Sequence, residues 1–329
     1  MKKFCYIFFI SLAIFLPLSF LVEEKIIALP EEDPNFVKLV FAGDMMLDRG
    51  VKNSVIKNFA GDYAKLFENL QMLKDFDFDI VFANLEGPAS DQGKDKRNLY
   101  SFRMDPAVIP VFKNAGISIV SVANNHVGDW GRDAYVDSLA RLKDAGIFYT
   151  GGGNDKTEAE TPVIIEKYGM KIGFLGFSDV GPIDMKAEES KAGLLLASNP
   201  RFEEIIENAS KLVDYLVVSF HFGDEYKTKH NQRQEYLAHK AVDSGAKIVI
   251  GHHPHVVQDT EIYKNGFIAY SLGNFIFDQA WSEPTMEGML LEIKLNKNGN
   301  IAVKKDTFKL NEFFQPDEIN IGDEEEIKF

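Results

Sequence analysis

Ala246-Lys247-Ile248-Val249-Ile250-Gly251-His252-His253-Pro254-His255 is the stretch on which the fold reading turns. Its first five residues are a short apolar, β-branched run bounded by glycines, which reads as a buried strand. Three of the chain's seven histidines follow within five residues, so they sit at that strand's C-terminal end. In open α/β sheets the crevice beyond those ends is where ligands bind, because loops converge there while helices cover the faces. One histidine can be satisfied inside a polar turn. Three together point to a metal site.

Working outward, the same logic recurs. Residues 37–42 form a strand that turns out through Gly43-Asp44; an aspartate in that place also serves as a helix N-cap. Residues 79–85 end in Glu86-Gly87-Pro88, and 117–123 end in Asn124-Asn125-His126, with Asp129 and Gly131 continuing the loop. Residues 215–220 deliver His221, followed by Gly223-Asp224-Glu225-Tyr226, and 266–270 lead into Ser271-Leu272-Gly273-Asn274. Apolar spacing predicts helices near 64–74, 106–115, 132–145, 201–211 and 232–244. Hairpins are expected for 162–166 with 171–177, 256–263 with 266–270, and 289–295 with 300–308 through an Asn298-Gly299 turn.

Other segments are quieter. Residues 89–99 read as a polar, mobile lid, with Arg103 beyond it as a candidate anion clamp, and 179–198 as loop. Gly151-Gly152-Gly153 lacks the Lys-Ser/Thr of a P-loop and reads as a tight turn. Met45, Met46 and Leu47 read as core; His230 and His239 read as ordinary helix-flanking residues.

A chain of 329 residues with 45% apolar residues can bury a sizeable core. The net charge of −14 excludes a general nucleic-acid binder, which needs a basic footprint. One cysteine, Cys5, excludes an internal disulfide and a multi-cysteine metal site, so any metal is held by nitrogen and oxygen.

Lys2 and Lys3 precede an apolar run over 4–22 that Glu23 and Glu24 close. Its length is near the roughly 20 residues that span a bilayer, and no small-x-small cleavage site follows. Residues 1–22 therefore read as a signal anchor that leaves the body outside the cytoplasm, a cleaved signal peptide being the alternative. Residues 23–36 read as an exposed linker, 37–311 as the folded domain, and 312–329, with seven acidic residues and one lysine, as a solvated, partly disordered tail.

Six separate strands thus bring Asp44, Glu86, Asn125-His126, His221, His253-His255 and Asn274 to one edge of an α/β protein. That mixed oxygen and nitrogen set suits a pair of divalent ions such as Mn, Fe or Zn. Two ions about 3.5–4 Å apart clamp an anionic oxygen and activate a water.

The order Gly-Asp, strand-end carboxylate, Asn-His, lone His, Gly-x-His-x-His is similar to the calcineurin-like metallophosphoesterase superfamily. Gly43-Asp44-Met45-Met46-Leu47-Asp48-Arg49, Asn84-Leu85-Glu86, Ala123-Asn124-Asn125-His126, Thr150 to Gly153, His221 to Tyr226, Gly251 to Gln258 and Ser271 to Phe275 resemble the CapA family more closely. The resemblance implies a four-layer αββα sandwich of the metallophosphoesterase type, anchored in the cytoplasmic membrane and facing outward. It implies work on poly-γ-glutamate capsule or a similar anionic polymer, alongside other membrane capsule-synthesis proteins. Carried over, Asp44, Glu86, Asn125, His221, His253 and His255 are metal ligands, His126 is the general acid and Asp129 orients it. Arg49, Arg103 and Asn274 are substrate contacts, and His252 falls outside the ligand set. The departures are Met46, where the superfamily carries histidine, and Glu86, where it carries aspartate; a thioether is a poor ligand for hard cations, so one metal site is expected to be weak. The alternatives to a capsule role are an extracytoplasmic metal-dependent phosphoesterase and a non-catalytic polymer-binding scaffold.

Overall fold

In the computed structural model, residues 36–70 and 78–329 are described. The chain opens with β1 (Phe36–Met45), α1 (Arg49–Phe59) and a 3-10 helix (Tyr63–Leu70). Next come β2 (Ile80–Leu85), α2 (Val108–Asn114), β3 (Ile119–Ser121), α3 (Gly131–Asp144), β4 (Phe148–Thr150), β5 (Gly152–Gly153) and α4 (Lys156–Glu160). The second half holds β6 (Val163–Lys167), β7 (Met170–Ser178), β8 (Gly193–Leu194), α5 (Phe202–Ser210), β9 (Tyr215–His221), α6 (Gln232–Asp243) and β10 (Ile248–His252). It closes with β11 (Thr260–Tyr263), β12 (Gly266–Ala269), β13 (Asn274–Ile276), β14 (Glu287–Asn296), β15 (Ile301–Leu310), β16 (Pro316–Asn320) and β17 (Glu324–Ile327).

Two sheets carry the architecture. The first runs β16-β15-β14-β1-β2-β3-β4, with β13 beside β1 and β17 beside β15; the second runs β11-β12-β10-β9-β7-β6. In the first sheet β1 to β4 are parallel out to one edge and β14 to β16 antiparallel on the other side; in the second, the parallel strands β12, β10, β9 and β7 are flanked by antiparallel β11 and β6. Side chains alternate faces along a strand, and β1 shows the result. Val37, Leu39 and Phe41 enter a core between the sheets with Ile172, Phe174, Val217 and Ile250, whereas Val40 and Ala42 face α1, α2 and α3 through Val55, Phe112 and Leu139. On the far side, Val218 and Val249 meet Ile206 of α5 and Leu237 of α6. Helix, sheet, sheet, helix: this is the expected four-layer αββα sandwich.

The differences from the sequence reading are local. The helix near 64–74 is a 3-10 segment whose buried Tyr63, Leu66, Phe67 and Leu70 keep the apolar spacing; residues 71–77, like the anchor and linker segments 1–35, lie outside the described residues. Helix α1 has no counterpart in that reading, because it is short, polar and enters without a side-chain cap. The tail is not a loose end. β16 and β17 extend the first sheet against β15, Ile327 is buried, and Lys294 pairs with Glu324. The acidic strand is held there by its backbone pairing with β15, by the buried Ile327 and by the ion pair of Glu324 with Lys294.

Candidate metal centre

The edge where both sheets end is held together by close backbone approaches. The amide of Asp44 donates to Gly273 O at 3.0 Å, and a Cβ on Gly43 would stand 2.0 Å from that carbonyl oxygen, so only glycine fits before the aspartate. This contact sets Asp44 of β1 in register with Asn274 of β13.

Asp44 is fully buried and is the hub. Its Oδ1 accepts from Asn84 Nδ2 at 2.8 Å, and its Oδ2 accepts from the His253 amide at 3.1 Å and lies 3.3 Å from His255 Nδ1. Burial acts to raise its carboxyl, but His252 and His255 hold it well below the usual carboxylate range. Glu86, also fully buried, goes the other way: burial, then the charges of Asp44, Glu225 and Asp129, push it well above the usual range despite His255. Its Oε1 has no hydrogen-bond partner and lies 3.6 Å from His255 Nε2 and 3.8 Å from His126 Nε2.

The imidazoles are oriented by their other nitrogens. His255 Nδ1 faces Asn274 Oδ1 at 3.0 Å, which turns Nε2 toward Glu86. His126 Nδ1 faces Asp129 Oδ2 at 2.7 Å, and its ring stacks on Phe102 at 3.9 Å. His221 Nε2 meets Asn125 Oδ1 at 2.8 Å, and burial with the neighbouring His253 pushes its pKa well down. Burial and His255 likewise lower His253 to about 3, while the carboxylates of Glu86 and Asp44 outweigh burial and raise His255 to about 9. His253 and His255 both adopt left-handed backbone, φ 98° and 57°, conformations that side chains tolerate only under constraint.

Two sets of donors lie close enough to share a cation: Asp44, Glu86 and His221; and Glu225, His253 and His255, with ligand atoms within 4.8 Å of one another in each. A divalent ion fits this chemistry. Glu86 Oε1 and His253 Nδ1 are buried polar atoms without partners, a costly arrangement that a cation relieves.

The structure brings Asp44, Glu86, Asn125, His126, Asp129, His221, His253 and His255 into one network. The three expected substrate contacts have these surroundings. Asn274 is buried, with its amide donating to Gln279 Oε1 at 3.1 Å and Thr285 O at 2.9 Å, so its Oδ1 is held toward His255. Arg49 is committed to Asp278 and lies over the Phe102 ring at 4.8 Å. Arg103 donates to the carbonyls of Asp91 and Gln92 and stacks 3.5 Å from Trp130. Both arginines brace the rim, and neither enters the cluster. The 89–99 segment is tied down by Lys94 N to Trp130 O and Lys96 N to Asp129 O. His252 lies 3.2 Å from Asp44 without hydrogen-bond geometry and stacks on Phe82, outside both donor sets. Met46 is buried with Phe102 and Phe277, its sulfur 3.3 Å from the Asp48 amide, and is no ligand.

Three contributors stood in stretches quoted from the sequence without a role of their own. Asn84 reads as part of an apolar strand, yet its amide ties Asp44 to Glu86 and its carbonyl oxygen accepts from Asn124. Asn124 itself grips Leu85 O at 2.8 Å. Glu225 is four residues past His221, inside the His221 to Tyr226 stretch.

Fold and site together define an αββα protein with a buried carboxylate and imidazole centre whose donors suit divalent cations. The chain belongs to the family of the bacterial capsule synthesis protein PGA_cap, which matches residues 38–279. It is similar to the capsule biosynthesis protein CapA of Bacillus anthracis, with 34% identity over 274 residues that cover 79% of this chain and 64% of that protein. It therefore spans less than two thirds of that relative. The PGA biosynthesis protein CapA of Bacillus subtilis is 32% identical over 262 residues, covering 79% of this chain and 68% of that protein. Among solved structures, NAD nucleotidase of Haemophilus influenzae aligns with TM-score 0.49 and 13% identity over 89% of this chain and 60% of that one.

Proposed function

We propose that this chain is a membrane-anchored, outward-facing protein of poly-γ-glutamate capsule synthesis, with two divalent ions, Mn, Fe or Zn, at the centre described. The names of the two relatives support the capsule role, and the apolar run over 4–22 supports the anchor. Among the described residues no helix is long and apolar enough to cross a membrane. The observation that carries the chemical reading is the buried donor network around Asp44 with its unpartnered Glu86 oxygen. The anionic polymer, the cytoplasmic membrane and other capsule-synthesis proteins are the partners.

Asp44, Glu86, Asn125, His221, His253 and His255 would hold the ions. Bound metal would polarise a carbonyl or phosphoryl oxygen and lower the pKa of a water. The chain's own residues do the rest. Asp129 fixes the His126 ring through Nδ1, leaving Nε2 facing the Glu86 side of the site, where it can hold a proton for a leaving group. The bond addressed is the γ-glutamyl amide. The same His126–Asp129 pair favours, as a second reading, hydrolysis of a phosphoester.

Capsule polymer should be measured in the native host carrying Asp44→Ala in place of the parent gene. Loss of γ-linked polymer is expected; unchanged polymer overturns the capsule reading. Metal-dependent turnover of a phosphodiester by the parent, lost in the same variant, establishes the second.

A further inference from the structure

Resting on that metal reading, we propose that Glu225 is the oxygen ligand of the second cation site, completing His253 and His255 in place of the imidazole that Met46 does not supply. Position 46, two residues after Asp44, carries a thioether. Here the position is closed, because Met46 packs between Phe102 and Phe277 and its sulfur lies against the Asp48 amide. Asp44 Oδ2 and Glu86 Oε1 lie 3.3 and 3.6 Å from His255, but both carboxylates also belong to the donor set with His221, so His253 and His255 have no carboxylate to themselves without a further residue.

Glu225 is placed to serve. It is the exposed member of a donor set otherwise buried, so it closes the site from the solvent side. Its loop is pinned on both flanks. Gly223, φ 97°, presses on Gln234, where a Cβ would meet the side chain at 2.5 Å. Asp224 is drawn outward by Asn231 Nδ2 at 2.8 Å, and Tyr226 N donates to Pro254 O at 2.8 Å, between the two histidines. Gln258 Nε2 then holds Lys227 O at 2.7 Å. A second, independent feature points to a ligand: His253 Nδ1 is buried and has no partner, although the residue is only 7% exposed. A buried imidazole nitrogen without a partner, in a residue whose ligand atom lies within 4.8 Å of a carboxylate oxygen and a second imidazole nitrogen, suits a cation. A hard carboxylate oxygen paired with two imidazoles suits Mn²⁺, Fe²⁺ or Zn²⁺ better than a thioether does.

The test is titration of Mn²⁺ into metal-free full-length protein, following free Mn²⁺ by electron paramagnetic resonance, for the parent, Glu225→Gln, Glu225→Asp and Asp44→Asn. The expected result is two sites in the parent and weakening of one of them by at least about tenfold in Glu225→Gln. Glu225→Asp recovers part of that affinity, and Asp44→Asn weakens the other site. If Glu225→Gln binds both ions as tightly as the parent, the proposal is overturned and the metal reading stands. If the parent binds no Mn²⁺, the metal reading falls and takes the proposal with it.

Discussion

Nδ1 of His126 lies 2.7 Å from Oδ2 of Asp129, and the same carboxylate accepts from the Phe102 amide at 2.9 Å and from Asn98 Nδ2 at 2.8 Å. Three donors converge on one buried acceptor. Replacing Asp129 with asparagine puts a donor where a donor already points. Asp129→Asn should therefore lose about 1–3 kcal/mol of folding stability by denaturant titration. In ¹⁵N spectra His126 should also lose its preference for a proton on Nδ1. A variant as stable as the parent, with the tautomer retained, would contradict this.

His126 itself has a separable role. His126→Ala should leave metal content unchanged while lowering turnover by about 10²–10⁴ on whichever substrate is established, as expected for a positioned acid. Metal lost along with turnover would instead make His126 a ligand.

Met46 offers the reverse control. Its environment is apolar and its sulfur is turned to the Asp48 amide. Met46→Leu keeps volume and should cost under about 1.5 kcal/mol, with metal stoichiometry unchanged in elemental analysis. A fall in bound metal would show that the thioether coordinates after all.

Ile327 lies directly across from Ile301 on β15 and is buried in the core between the sheets. Ile327→Ala should cost about 2–5 kcal/mol, read from the denaturation midpoint. A loose terminus would make the change neutral.

Much of the fold was legible because parallel strands buried on both faces must be apolar along their length. Residues 248–250 and 215–220 are of that kind, and each announces its site residue by where the apolar run stops. The tail was opaque for the opposite reason. Glu324, Glu325 and Glu326 have poor strand propensity, and only the facing β15 makes them a strand. The site followed the same division. Ligand-type residues at strand ends stood out, whereas Asn84 is hidden inside its strand and Asn274 carries its meaning only through the His255 contact. Arg49 and Arg103 looked free on paper, since their partners Asp278 and the Asp91 and Gln92 carbonyls are identifiable only in three dimensions.

Acid should strip the centre. Imidazoles bind metal only when neutral and carboxylates only when ionised, so protons compete with the cation. His255, raised to about 9, is the first of these imidazoles to take a proton, so metal affinity should weaken progressively as pH falls below about 9, and saturation at 100 times Kd should add about 2.7 kcal/mol of stability at neutral pH. Equilibrium dialysis and thermal melts across pH check both. Metal retained unchanged to pH 4, or no thermal gain on loading, would contradict the ligand set.

The central claim is that the network around Asp44 holds metal, and elemental analysis of the purified protein beside Asp44→Ala and His253→Ala addresses it most directly. Near two transition-metal equivalents in the parent, falling in both variants, is the predicted result. A parent that holds none, even after reconstitution with Mn²⁺, Fe²⁺ and Zn²⁺, would contradict it and leave polymer binding without hydrolysis as the reading of the fold.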